Sequence, residues 1–417
     1  MRLIFIAITL LFSMLSIAQP SDYKFEDFTY KEYIKSVKFH IENLEISYPI
    51  IDLESGNRLK LSFDDLDYDV MNYFYRVVHC DMNWEVSGLS ELEYIDGFTE
   101  ARIEDTDYSF NTVTPYTHYD LLIPNDDTRL TKSGNYLLIV YDDDTDEVLI
   151  TRRFMVVDPL LKTRGKISAP VDVSKIRSHQ EVDFRVNYEG VKLRNPQKEV
   201  RAAVLQNGRW DNAITEISPF FVNRDELIFD YQGKIIFPAG NEFRAIDMRD
   251  LRSKTPNIAN IDRYDEYYDV TLLLDRKRGS DPYLFREDIN GNFIIDHRVN
   301  RQPDTQNDYA NVLFQLYNPT PFDKEVYLFG ALTDWSIKEE YRLVYNDLTS
   351  SYVLKTPLKE GFYDYTYVLD NGDGEVLIED TEGSWYNTVN EYVILIYNRP
   401  FGSRYDQLVG TYVISFR

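Results

Sequence analysis

The sequence predicts an all-β fold, built as three antiparallel β-sandwiches in tandem. Three observations carry this. Apolar and polar residues alternate with period two, as in Asp183-Phe184-Arg185-Val186-Asn187-Tyr188. The short runs of this kind are divided by Gly, Pro, Asn and Asp, which favour turns over continued strands. Beyond residue 18, no stretch of twelve or more residues has convincing helical periodicity. Such strand grammar points to immunoglobulin- or fibronectin-like sandwiches.

The elements follow in order. Residues 1–18 read as a cleavable signal peptide: Arg2 gives a positive start, residues 3–17 are almost wholly apolar, and Ser16-Ile17-Ala18 places small side chains before a cut at Gln19. The apolar run is short of the about 20 residues a bilayer span needs. There is no Cys at the cut for lipid attachment. A first sandwich is expected over 19–158. Within it, residues 136–141, the acidic turn 142–146 and residues 148–157 form a hairpin, and the irregular run 94–108 holds a helical turn. A second sandwich is expected over 159–305 and a third over 306–417. In the third, Gly361-Phe362-Tyr363-Asp364-Tyr365-Thr366-Tyr367 places three tyrosines on one face.

Composition bounds the function. Apolar residues at 43% and aromatics at 15% can fill ordinary cores. The chain has 33 Tyr against 24 Phe, and tyrosine suits half-exposed sheet faces and protein interfaces. A net charge of −25 repels phosphate backbones and anionic lipid, so nucleic acid and direct membrane insertion are not expected. That charge serves solubility or a basic partner. The single cysteine, Cys80, excludes an internal disulfide, leaving stability to core size. Cys80 is expected buried and its strand neighbour His79 exposed, since adjacent strand residues point to opposite faces.

Catalytic and metal chemistry find little purchase. His40, His79, His118, His179 and His297 are scattered, with no two at metal-ligand spacing. Three acidic loops, 142–146, 288–292 and 370–374, have calcium-like composition. The second has Phe293 where an EF-hand needs Gly, and the third has Gly372 at a ligand position; hairpin turns use the same residues. Nucleotide, phosphate and nucleophile-elbow motifs are absent, and nothing singles out a carboxylate pair. The expected protein is not an enzyme and carries no cofactor or metal.

Two resemblances sharpen this. Val326-Tyr327-Leu328-Phe329-Gly330 leading to Trp335, followed by the Gly361–Tyr367 strand, resembles the early-set modules that bind glycogen and starch. Trp335 matches their first sugar-stacking tryptophan, but the second does not follow the Asp-Gly turn; Trp385 comes later. Periplasmic carbohydrate binding through this last domain is therefore the alternative function.

The wider resemblance is carried by Ser47-Tyr48-Pro49-Ile50-Ile51, Leu61-Ser62-Phe63-Asp64-Asp65-Leu66, His79-Cys80-Asp81 with Trp84, and Glu93-Tyr94-Ile95-Asp96-Gly97-Phe98. It continues through His179-Gln180-Glu181-Val182-Asp183-Phe184, Gln206-Asn207-Gly208-Arg209-Trp210-Asp211-Asn212, Phe237-Pro238-Ala239-Gly240-Asn241-Glu242-Phe243-Arg244, and Arg399-Pro400-Phe401-Gly402-Ser403-Arg404-Tyr405-Asp406. Together these resemble the plug-protein family of the type IX secretion system of Bacteroidetes. The resemblance implies a periplasmic protein, monomeric when free. Its partner would be the outer-membrane translocon barrel, whose periplasmic mouth it closes while no substrate is exported, in a system that often supports gliding motility. Residue types favoured at interfaces make Asn207, Arg209, Trp210, Trp335, Phe401, Arg404 and Tyr405 the candidate partner contacts. Turn chemistry at Gly208 and Gly402 and local ion pairs are the structural reading of the same strings.

Overall fold

A computed structural model describes residues 23–299, 302–372 and 376–416; the signal-peptide segment lies outside them. The fold is all-β and mostly antiparallel, as expected. Helices among the described residues are single turns, such as Glu91–Tyr94, where the Glu93 carboxylate accepts the Ser90 N–H at 2.9 Å in a capping box.

Four sheets stack face to face. Sheet I runs Ile34–Ile41, Leu59–Asp65, Thr117–Ile123, Asp105–Tyr108. Sheet II holds the expected hairpin, Gly134–Asp142 with Val148–Val157, flanked by Tyr73–Cys80. Sheet III runs Ile214–Ile217, Val200–Gln206, Glu391–Asn398, Gln407–Ser415, and sheet IV is built on Lys162–Ser168, His179–Asn187 and Glu226–Phe229.

Period-two geometry sends alternate residues of each inner strand into different layers. Tyr136, Leu138 and Val140 face sheet I, in a core with Leu61, Phe63 and Phe154. Leu137 and Ile139 point the other way, into a layer shared with Met155, Ala203, Leu205, Val393 and Leu395. Ala202, Val204, Ile394 and Ile396 then meet Val182, Phe184 and Phe229 of sheet IV. Sheets II and III are therefore buried on both faces.

This stack redistributes the expected domains. Glu391–Asn398 and Gln407–Ser415, expected inside the 306–417 sandwich, instead complete sheet III beside Val200–Gln206, in register from Val200 opposite Asn398 to Gln206 opposite Tyr392. The chain between, from Arg244 to Leu377, forms an eleven-stranded sheet V. Its halves join where Arg342–Asn346 pairs with both Glu325–Phe329 and Ser351–Lys359. Both halves fill one core, which takes Tyr363, Tyr365 and Tyr367 on the single face that alternation assigned them. The reason for the redistribution is that an isolated 159–305 segment would leave Val200–Gln206 without its ladder partner at 392–398 and the row Ala203, Leu205 without the sheet II residues that cover it.

The His79 expectation is also corrected. His79 and Cys80 do point to opposite faces, but both are buried: sheet III covers the Cys80 side, while His79 is enclosed on the other side by the rings of Tyr94, Tyr136 and Tyr405. Burial pushes the Cys80 thiol up to about 12 and the His79 imidazole down to about 4.

A polar seam joins sheet I to sheet V. Asp64, fully buried, accepts hydrogen bonds from Lys359 Nζ at 2.6 Å, Tyr309 hydroxyl at 2.6 Å and His118 Nδ1 at 2.6 Å. A second pair crosses nearby, Arg152 Nη2 to Asp334 Oδ1 at 2.8 Å, and Asp334 also accepts from Thr29 and Lys338.

Leu395→Ala cuts the layer shared by sheets II and III. Its expected cost is about 2–5 kcal/mol in urea unfolding. Amide exchange should quicken together in 134–142 and 200–206; quickening confined to one sheet would show that the two unfold independently.

Candidate partner interface

The string Gln206–Asn212 begins as strand and ends as a tight turn, because Asn207 and Gly208 take successive positive φ values of 53° and 73°. A Cβ on Gly208 would lie 2.3 Å from the Tyr48 ring, so only glycine fits. Asn207 is buried and extends the ladder with its side chain: Oδ1 accepts the Glu391 N–H at 2.8 Å and Nδ2 donates to Asn390 Oδ1 at 2.8 Å. Arg209 is buried too. Its Nε and Nη2 form a fork on Asp211 at 3.0 and 2.5 Å, and its guanidinium lies 5.0 Å from the Trp335 ring centre and 5.1 Å from that of Phe329.

Trp210 turns the other way. It meets Trp84 edge to face at 5.0 Å, with the Arg153 guanidinium over both rings. Trp335, at φ 52°, is half-buried, wedged edge-on between Phe243 and Phe329 at 5.9 and 5.5 Å. With Arg209 against its ring, the indole is committed to joining sheet V to the 206–212 turn, and little of it is left as a platform for sugar.

The remaining candidates lie at a second place. Phe401 tips the connection between Glu391–Asn398 and Gln407–Ser415 and is 93% exposed. Arg404 donates through Nη1 to the Gly88 carbonyl at 3.0 Å and pairs with Glu93, next to Leu92, which is 81% exposed. Tyr405 packs edge-on to His79 at 5.4 Å. Of the seven candidates, then, the structure brings Asn207, Arg209 and Trp335 to one junction. Phe401 and Arg404 are exposed elsewhere.

That junction contains a cleft of about 480 Å³, which sequence reasoning missed as a site. Its walls come mainly from three distant segments, 206–212, 238–243 and 376–380, with Thr366 and Asn390 completing them. The strings around Gln206 and Phe237 stand out in the sequence, but nothing local says that they meet Val376–Leu377.

Two side-chain clusters have metal-ligand composition among the described residues: His118 with Asp120 and Asp304, and His297 with Asp250 and Glu360. Neither suits a cation. His118 faces a carboxylate at each ring nitrogen, Asp64 at 2.6 Å and Asp120 at 3.2 Å. Burial works against its charge, but those two bonds outweigh it and hold the imidazole up at about 9, so both nitrogens carry protons at neutral pH. Lys60 and Lys359 already neutralise the same carboxylates. In the second cluster, His297 Nδ1 accepts the Val299 N–H at 2.9 Å, which leaves the proton on Nε2, the nitrogen facing Glu360.

The acidic loops use their carboxylates as turn acceptors. Asp142 accepts the Asp144 N–H, Asp288 those of Asn290 and Phe243, and Asp370 that of Gly372. Residues 373 and 374 of the third loop lie outside the described residues.

Residues 34–158 match the family model described as the type 9 secretion system plug protein 1st domain. The chain belongs to the type 9 secretion system plug protein family. A crystal structure of a hypothetical protein from Parabacteroides merdae is 34% identical, with a TM-score of 0.90, over 94% of this chain and all of that one. The C-terminal domain of the Streptococcus pyogenes antigen I/II-family protein AspA aligns over 91% of this chain and 99% of its own, at 8% identity. Its TM-score of 0.16 carries no argument. No curated protein matches the chain.

The His118 seam has a pH signature. Its folded pKa of about 9 lies above the ordinary 6.5, so its stabilisation is complete below about pH 6.5 and is lost as pH rises through 9. The shift corresponds to roughly 3 kcal/mol. Urea unfolding at pH 6 and pH 9 should show wild type losing that much more than His118→Gln; equal losses would mean the imidazole is neutral in the fold.

Proposed function

We propose that this plug-family chain is a non-enzymatic plug that occludes the periplasmic end of the outer-membrane translocon barrel while no substrate passes. Family membership carries the reading. The build of the molecule supports it, because occlusion asks for a block that does not flex open. Sheets I–IV share continuous apolar layers, and sheet V is tied to them by buried pairs such as Asp64–Lys359 and Arg152–Asp334. Breaking such a pair costs about 3–5 kcal/mol, since one charge is left buried alone.

The surface also suits reversible seating. A strongly acidic chain released from the barrel stays soluble. Phe401 and Leu92 supply exposed apolar anchors, with Arg404 exposed beside them. Partner contact through this tip, a monomeric free state and a periplasmic location are parts of the same proposal. Trp335, held by Arg209 and two phenylalanines, does not favour the carbohydrate-binding alternative.

Adding the purified mature protein to translocon barrels reconstituted in a planar bilayer should close their conductance from the periplasmic side. Phe401→Asp, changing a residue with no packing role, should weaken the block by about tenfold or more. Unchanged conductance at saturating wild-type protein would overturn occlusion, and an unaffected block by the variant would move the contact away from this tip.

A further inference from the structure

The cleft beside the 206–212 turn is not a leftover gap. At about 480 Å³ it is within the usual range for a binding site, and its walls combine apolar and unsatisfied polar groups. Pro238, Ala239, Phe243, Val376, Leu377 and Ile378 form the apolar part.

Two side chains on the walls each keep one polar atom without a hydrogen-bond partner among the described residues. Asn212 donates its amide to Gln206, but its Oδ1 is buried and accepts nothing. Arg209 commits Nε and Nη2 to Asp211, and no hydrogen bond among the described residues engages its Nη1. A buried acceptor without a donor costs about 1–3 kcal/mol, which an incoming N–H would recover. A peptide unit can answer an acceptor with its N–H and a donor with its C=O.

The backbone offers the same chemistry. Val376–Leu377 pairs with Leu369 and Asp370 on one side, and among the described residues no strand pairs its other edge. An open edge lining an apolar cleft is a template for strand addition. At the lip, Glu379 and Asp380 are exposed carboxylates; Lys324 approaches only Asp380, at 3.8 Å.

We propose that this cleft docks an extended segment of a partner protein. One apolar side chain of the segment enters against Phe243 and Leu377, its backbone adds to the 376–377 edge, and a flanking lysine or arginine meets Glu379 and Asp380. The site is separate from the Phe401 tip and does not depend on the occlusion reading. A sugar would have no use for the free strand edge, which decides for a peptide.

The probe is a fluorescein-labelled heptapeptide alternating lysine with leucine and valine, titrated into the mature full-length protein and followed by anisotropy. Saturable binding is expected, together with slowed amide exchange at 376–378. The double variant Glu379→Lys with Asp380→Lys, confined to exposed side chains, should weaken binding about tenfold or more at low salt. Leu377→Asp should abolish it. The proposal falls if the peptide does not bind saturably, or if a glutamate-for-lysine peptide binds equally well. It also falls if exchange at 376–378 is unchanged, or if maltoheptaose displaces the peptide. Because the readout involves no barrel, a negative result here leaves the conductance test standing, and the reverse.

Discussion

The apolar layer between sheets II and III is the constraint on which the rest of the molecule depends. Leu137 and Ile139 from one side, Ala203, Leu205, Val393 and Leu395 from the other, leave no solvent-facing side to either sheet. Each such aliphatic side chain contributes about 1.5–3 kcal/mol when removed from water. The larger effect is on connectivity. The layer can close only if Glu391–Asn398 returns across the intervening chain to pair with Val200–Gln206. Everything from Arg244 to Leu377 is thereby an excursion from sheet III, with both its ends anchored in the stack.

That anchoring explains why the contacts to sheet V rest largely on polar groups, with a few aromatic rings among them. The stack already uses its apolar faces internally, so sheet V is held where side chains can be matched rather than merely buried. Asp64 is the centre of this matching, with Lys359, His118 and Tyr309 each donating to it. Burial alone would raise its pKa, yet the two cations beside it hold it below the usual carboxylate range. Ion pairs of this kind add little net stability over a well-packed apolar substitute, but they tolerate no misplacement. They fix how sheet V sits on sheet I.

The junction of the 206–212 turn with sheet V shows the same economy with different groups. Arg209 is clamped by Asp211 and two aromatic rings, and Trp335 is wedged by two phenylalanines. Residue types common at interfaces are used here to join parts of one chain. The cleft beside them is different, because Asn212 Oδ1 and the 376–377 edge remain without partners.

Much of the local structure was legible in the residues alone. The hairpin across 142–146, the burial of Cys80 and the common face of Tyr363, Tyr365 and Tyr367 all follow from period two and turn chemistry, which act over a few residues. One further signal was present: the unbroken apolar runs at 136–141 and 392–396 mark strands buried on both faces, as alternating strands are not. What those runs bury against could not be read from them. Sheet III pairs residues nearly two hundred positions apart, the Asp64 seam joins partners still farther apart, and the cleft is walled mainly by three separate segments. By itself the sequence determined an all-β protein and, through its ordered strings, its family. Only the tertiary structure decided that His79 is buried, that the last two strands belong with Val200–Gln206, and that Arg209 and Trp335 bind each other, since each is settled by which faces meet after the chain has closed.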